Sequence, residues 1–386
     1  MPVVAAPGVR AAFDTSYAEL TWLLLLGPGL VAMVLEPLAF LAADRLPRRW
    51  FVVCGLAGLA VGSWIAALAP APSWLIVAEA ISGTSSGIAV GLAQASLVDT
   101  YVHGRDRAML RWGLMGLVGD LAAPALIAAL AVVGLGWRAG FAIVGAMVAA
   151  WAVLVAVRGG DLPSGAARAG DGDDGDDRAA GDDGDADGRG LWAALRLALT
   201  DRHLLAWLFG LTLCDLLDEI LVVFASLHLR DELGAGAVTR SAVLAGFVAG
   251  GAIGLVVVDR LLRRVAALRL LLASSVACTV AYAAWLAAPT AWASLLLMIA
   301  VGATAAPLYP LASAQAYAAL PGRSGTVQAA AHLFTPLGLA LPWLLGVLAD
   351  AAGTTAALIA LAAQPVGLAV IAAAQRRSGR PDASSR

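Results

Sequence analysis

Lysine and asparagine are absent from the chain, and charge of either sign is scarce: 13% of its 386 residues are charged. Ordinary soluble domains carry roughly a quarter, and 61% apolar residues leave too little polar surface to wrap a water-soluble core. The cations are all Arg, and Glu is rare beside Asp. That bias reflects a GC-rich gene more than a function, so the arginines do not indicate nucleic acid. Cys54, Cys214 and Cys278 fall in three different apolar segments without metal-ligand spacing, which argues against a disulfide framework or a zinc site. Pro2, Pro7 and Arg10 stand where a cleavable signal peptide would have a basic stretch and an apolar run. Neither His-Glu-x-x-His, a Walker loop nor a dinucleotide fingerprint occurs. Gly83-Thr84-Ser85-Ser86-Gly87 matches a hydrolase elbow only formally, because it lies in an apolar helix rather than a strand-turn-helix. The expectation is therefore no enzyme, no cofactor and no metal.

What the chain does have is apolar runs. Segments near 19–43, 50–69, 73–99, 107–133, 137–158, 203–229, 236–258, 267–287, 291–317, 323–349 and 354–374 are each long enough for a helix to cross a bilayer core of about 30 Å. These eleven segments predict an all-α, multi-pass membrane protein. Arg45, Arg48 and Arg49, then Arg105, Arg107 and Arg111, then Arg260, Arg263 and Arg264, then Arg323 and the tail Arg376, Arg377 and Arg380 fall on one side. Arg10, Arg138, Arg230 and Arg240 fall on the other. The positive-inside rule makes the Arg-rich side cytoplasmic, with the C-terminus there and the protein in the cell (inner) membrane. Residues 159–190 are almost entirely Gly, Ala and Asp, a self-repelling and solvated linker. The run from Asp171 to Asp177 lacks the closing Glu of a calcium loop. The predicted organisation is a membrane half over 1–158, the linker at 159–190, a second membrane half over 191–375 and a tail at 376–386.

The halves repeat. Asp44-Arg45-Leu46-Pro47-Arg48-Arg49 returns as Asp259-Arg260-Leu261-Leu262-Arg263-Arg264, Gly104-Arg105 as Gly322-Arg323, and Pro124 as Pro342. Duplicated halves are a building plan of secondary transporters. On these residues the chain resembles the major facilitator superfamily over essentially its full length. That family has two six-helix halves and a cytoplasmic Gly-x-x-x-Asp-Arg-x-Gly-Arg-Arg motif, often echoed in the second half. Here Phe40 to Arg49 keeps the acidic and basic positions and loses both glycines. The resemblance aligns the first apolar segment with the family's second helix. It thus implies about eleven of the twelve helices, with the sequence beginning inside or just after the first; a genuine eleven-helix protein is the rival reading.

Ionisable groups in hydrocarbon cost about 2.5–3.5 kcal/mol on insertion scales, so each needs a reason. Asp215, Asp218 and Glu219 are spaced along one face of the helix at 203–229, a candidate proton or substrate site. Polar contacts to a neighbouring helix are the structural alternative. Asp120 stands near mid-membrane after Gly113, Gly116 and Gly119 and before Pro124, where the resemblance offers a partial antiporter motif. Glu36 lies before Pro37, and Glu79 occupies a place where many proton-coupled relatives carry an Arg. His332 is expected either to pair with one of these carboxylates or to be a hydrogen-bonded core histidine. By resemblance, Asp44, Arg45, Arg48, Arg49 and Asp99, echoed by Asp259, Arg260, Arg263 and Arg264, form contacts that hold one face closed in one state. The stripes Gly83-x-x-x-Gly87-x-x-x-Gly91 and Gly246-x-x-x-Gly250-x-x-x-Gly254 predict close helix packing.

These features imply a secondary active transporter of a small organic solute, working by alternating access and coupled to protons. An acidic cavity without arginine favours a cationic or amphiphilic solute, and the resemblance, with loops this short, implies efflux of a drug or metabolite. A proton symporter importing a sugar or other nutrient is one alternative, and a non-transporting sensor or scaffold with the same fold is another. The expected partners are the solute, protons and the lipid bilayer, with no nucleic acid, and the protein is expected to act as a monomer.

Overall fold

Inside hydrocarbon every backbone N–H and C=O must be satisfied within the protein, which a helix does using its own segment alone. A computed structural model describes residues 27–158 and 199–377, with positions 9, 12–14, 23, 24, 160, 162 and 196. Among the described residues all long regular elements are helical. In chain order they are α1 (Gly27–Ala43), α2 (Arg48–Leu68), α3 (Pro72–Thr100), α4 (Arg105–Val132) and α5 (Trp137–Arg158). There follow α6 (Arg202–Asp215), a π-turn (Leu216–Ile220), α7 (Leu221–Asp231), α8 (Ala237–Leu261), α9 (Ala267–Leu286) and α10 (Ala291–Ala305). The last are α11 (Leu308–Ala319), α12 (Ser324–Ala331), a 3-10 turn (His332–Phe334), α13 (Thr335–Ala352), α14 (Thr354–Leu361) and α15 (Ala363–Arg377). Nine stretches among the described residues are long and apolar enough to span a bilayer, and Gly27–Ala43 and Arg202–Cys214 are shorter apolar helices. The protein is a multi-pass, all-helical membrane protein. The acidic linker lies outside the described residues apart from 160 and 162, and so does most of the stretch that bears on the family's first helix.

Four segments expected as continuous helices are interrupted, each for an identifiable reason. The segment at 203–229 widens into the π-turn, where the backbone N–H of Leu217 donates to the buried Gln364 Oε1 at 2.7 Å. The segment at 291–317 breaks at Pro307, which has no N–H to donate. The segment at 323–349 tightens at His332–Phe334 just before Pro336. The segment at 354–374 turns at Ala362, three residues ahead of Pro365.

The chain condenses into two compact units, one of residues 1–100, 118–195 and 321–332, the other of residues 101–117, 196–320 and 333–386. Each unit therefore includes the beginning of a helix from the opposite half of the sequence: α12 lies in the first, and the first turns of α4 in the second. Gly322, with φ of 79°, makes the left-handed turn that leads into α12.

Small residues let the helices approach. In the first unit α2 packs on α3, and Gly55 and Gly62 face Ala89 and Ser82 so closely that a methyl group would collide. In the second unit α8 packs on α10: a Cβ on Gly250 would strike the Ile299 carbonyl, one on Gly254 that of Ala303, and one on Gly302 that of Phe247. At Gly250 and Gly254 the second glycine stripe is thus a helix contact built of backbone against backbone, while Gly246 makes room for the Leu295 side chain. The first stripe is different. Gly83 has open space, Gly87 admits the Glu36 carboxylate, and Gly91 admits the Phe40 ring and the Gln328 amide. Large apolar side chains such as Leu38, Trp151 and Trp343 point outward, as they must where the solvent is lipid.

Candidate functional site

Three polar constellations stand out. The first is a carboxylate and imidazole pair in the first unit. Glu36, on α1 one residue ahead of Pro37, which has no N–H to give to the helix, is 8% exposed. Its Oε2 lies 3.3 Å from Nε2 of His332, which sits where α12 gives way to the 3-10 turn. The Phe40 ring, one turn further along α1, lies tilted against the imidazole with ring centroids 5.4 Å apart. Gly87 on α3 vacates the volume that the carboxylate fills. Close by on the same helices, Gln328 donates towards Gly91 O and Gln94 Oε1, both at 3.4 Å. A glutamate and a histidine in contact can share, hold or release a proton without leaving a bare charge in hydrocarbon.

The second constellation is a buried arginine network at the Arg-rich end of the same unit. Arg48, the first residue of α2, is 1% exposed. It donates to Asp99 at 2.6 Å, Asp44 at 2.7 Å, Ser324 Oγ at 3.0 Å and the Ala43 carbonyl at 3.3 Å. The Ser324 hydroxyl in turn donates to Asp99 at 2.6 Å. Asp44 accepts from the backbone of Gly325 at 3.0 Å and Thr326 at 2.8 Å, and from the Thr326 hydroxyl at 2.9 Å. Its carboxylate therefore seats the start of α12, where unpaired N–H groups and the helix dipole favour an anion. Gly325 has to be Gly, because a Cβ would run into the Asp44 carboxylate and the Phe40 carbonyl. Of the three arginines available to Asp99, Arg48 is the one bonded to it. Arg45 is exposed, and Arg49 reaches the carbonyl of Ala156 and lies over the Trp50 ring.

The repeat of this motif in the second unit is built more loosely. Asp259 accepts from Arg107 Nε at 3.1 Å and Nη2 at 3.3 Å, with Arg111 at 3.6 Å. Arg263, in the place of Arg48, is exposed, as are Arg260 and Arg264. The position corresponding to Asp99 under the Gly104 to Gly322 register is Tyr317, so the carboxylate that draws Arg48 inward has no counterpart at that position.

Of the remaining candidates, Glu79 and Asp120 stand on different helices. Glu79 on α3 is 4% exposed, accepts from Ser82 Oγ at 3.3 Å and leaves its other oxygen without a partner among the described residues. Asp120 is exposed on α4, and its side chain makes no hydrogen bond or ion pair among the described residues. The side chains of Asp215, Asp218 and Glu219 lie outside those described, but their backbone forms and borders the π-turn, a geometry frequent at functional sites. Sequence reasoning missed Gln364, Ser324 and Thr326, since a polar residue in a helix gives no sign of a partner far away in the chain. The recurrence of Gly104-Arg105 as Gly322-Arg323, just ahead of Ser324, is the one hint it offered.

A profile of the Major Facilitator Superfamily matches residues 1–216, more than half of the chain. The chain belongs to this superfamily. Two solved structures of FucP, the E. coli fucose:proton symporter, share its fold: one at TM-score 0.74 and 15% identity, the other, in the outward conformation, at 0.71 and 16%. Each comparison covers 98% of this chain and 96% of FucP. The human organic anion transporter MFSD10 aligns at TM-score 0.67 and 16% identity, over 95% of this chain and 88% of its own. No curated protein matches. At these identities the structures establish the fold of a major facilitator transporter and nothing of the solute. Within that superfamily the Arg48 network is the Asp-Arg motif folded, and the loss of both motif glycines has not prevented Arg48 from being buried among carboxylates.

Proposed function

We propose that the protein is a proton-coupled secondary active transporter that exports a cationic or amphiphilic small organic solute. The observation that carries the coupling is the 3.3 Å contact between Glu36 and His332 inside a membrane-spanning unit. A carboxylate beside an imidazole changes charge by one proton, and the glycine opposite gives that carboxylate room. The preference for a cation rests on the sign of the intramembrane groups: Glu36, Glu79 and Asp120, with Asp215, Asp218 and Glu219 in the second half. The outward-side Arg138 is already engaged, donating to the carbonyls of Ala67 and Ala69 and lying 4.7 Å over the Trp137 ring. The Asp44, Arg48 and Asp99 contacts, with Asp259 and Arg107 as the weaker copy, act as the latches of alternating access, expected on the cytoplasmic face and made in one state only. A second reading, import of a sugar with protons, draws on the likeness to FucP.

The test is flux in proteoliposomes under an imposed pH gradient, with lipophilic cations and sugars as the solutes offered. Export predicts that Glu36→Gln and His332→Gln lose gradient-driven cation movement while inserting normally. Gradient-driven flux at the original rate in both variants would refute the coupling assignment, and proton-dependent sugar uptake would select the second reading.

A further inference from the structure

A cleft of about 260 Å³ opens in the second unit where the turn ahead of α4 meets the turn between α8 and α9. Its walls carry His103, Asp106 and Arg107 from the first side and Arg264, Val265 and Ala266 from the second. Basic groups dominate it. Arg107 is held in place by Asp259, while His103 and Arg264 are exposed, and the Arg264 side chain makes no hydrogen bond or ion pair among the described residues. The one carboxylate of the lining, Asp106, is 9% exposed and accepts from Gln315 Nε2 at 3.3 Å, so part of its charge is already answered. Across 103–111 and 259–269 seven arginines (105, 107, 111, 260, 263, 264 and 269) face two aspartates (106 and 259), an excess of five positive charges.

The position of the cleft narrows what would answer that charge. It lies at the ends of three apolar spans, Arg105–Leu130, Val238–Leu261 and Ala267–Leu286, and the end of an apolar span is where a helix crossing a bilayer leaves hydrocarbon for the headgroups. Leu262 and Val265 give it an apolar wall beside the cations. A soluble anion has no use for such a wall, whereas a phospholipid presents a phosphate next to glycerol and acyl carbon. Basic pockets at this depth hold anionic headgroups, each Arg near the surface adding about 1 kcal/mol, which is about five-fold in affinity. We propose that this cleft binds the phosphate group of an anionic phospholipid, with Arg264, Arg107 and His103 as its donors.

The test is native mass spectrometry of the detergent-purified, full-length protein titrated with phosphatidylglycerol, phosphatidylcholine or inorganic phosphate. Phosphatidylglycerol is expected to bind more tightly than phosphatidylcholine. Arg264→Gln is expected to weaken it about five-fold and His103→Gln to weaken it measurably, while Arg260→Gln, the same charge loss outside the cleft, stays within about two-fold. Equal binding of the two lipids overturns the proposal, as do equal losses in Arg264→Gln and Arg260→Gln, which would mark a diffuse surface charge. Saturation by inorganic phosphate with no gain from phosphatidylglycerol overturns the lipid assignment and leaves a soluble phosphate as the ligand.

Discussion

Replacing Arg48 by Lys keeps the charge and removes the geometry, and the structure allows the consequence to be worked out. The guanidinium serves two carboxylates, a hydroxyl and a carbonyl at once. A lysine ammonium is compact and sits on a flexible stem, so it can satisfy one carboxylate while the planar bridge to the other is lost. Forfeiting two charge-assisted hydrogen bonds at about 1.5 kcal/mol each removes about 3 kcal/mol. If the network exists in one state of the transport cycle, that state loses about 100-fold in population relative to the other, at tenfold per 1.4 kcal/mol. Ala329 reports on this, because it lies on α12, is 5% exposed and belongs to the cluster that includes Phe40 and Leu92. In a background with Cys54, Cys214 and Cys278 replaced, Ala329→Cys should be nearly inert to a membrane-impermeant maleimide applied at the Arg-rich face. Adding Arg48→Lys should raise its labelling rate by about 100-fold when opening is fast relative to labelling. Unchanged protection in a normally inserted Arg48→Lys variant would show that the network does not latch α12.

Asymmetry between the two motif copies gives a paired expectation. Asp44→Asn, which weakens a buried arginine pair and a helix-start anchor, should lower the melting temperature by an amount equivalent to about 3 kcal/mol, whereas Asp259→Asn, facing half-exposed and exposed arginines, should cost about 1 kcal/mol or less in the same assay. Gly250→Val should abolish accumulation of folded protein in the membrane, since its side chain would have to enter the α10 backbone, while Gly83→Val should accumulate at the original level; fluorescence size-exclusion of detergent extracts measures both. Gln364→Leu leaves the Leu217 N–H without its partner in a buried site and should cost about 1–3 kcal/mol by thermal unfolding.

Run length made the membrane segments legible, because twenty apolar residues in a row have few other uses. The interruptions were less so. Pro307, Pro336 and Pro365 mark three of them in the sequence, but at the π-turn the partner of the Leu217 N–H is Gln364, 147 positions away, which no local pattern encodes. The choice of Arg48 over Arg45 and Arg49 was likewise hidden, and it is settled by the start of α2 one turn beyond Asp44. The Asp44 contact with Gly325 and Thr326 spans some 280 positions, and only the repeated Gly-Arg pair pointed towards it. Glu36 and His332 could each be singled out as ionisable groups in hydrocarbon, and Pro336 marks the break beside the imidazole, but nothing local indicates that the two side chains meet, 296 positions apart.

The shared helix beginnings set an order for synthesis. When the ribosome has produced the first half, Asp44 already has Arg48 beside it, but the N–H groups and hydroxyl it seats will not exist until residue 326 has been made. For close to 170 residues of translation that carboxylate has to wait half-answered at the membrane boundary, shielded by water or by the insertion machinery. A first half expressed alone should therefore be a tenant of the translocon rather than a finished domain, and co-expressing the second half as a separate chain should rescue it.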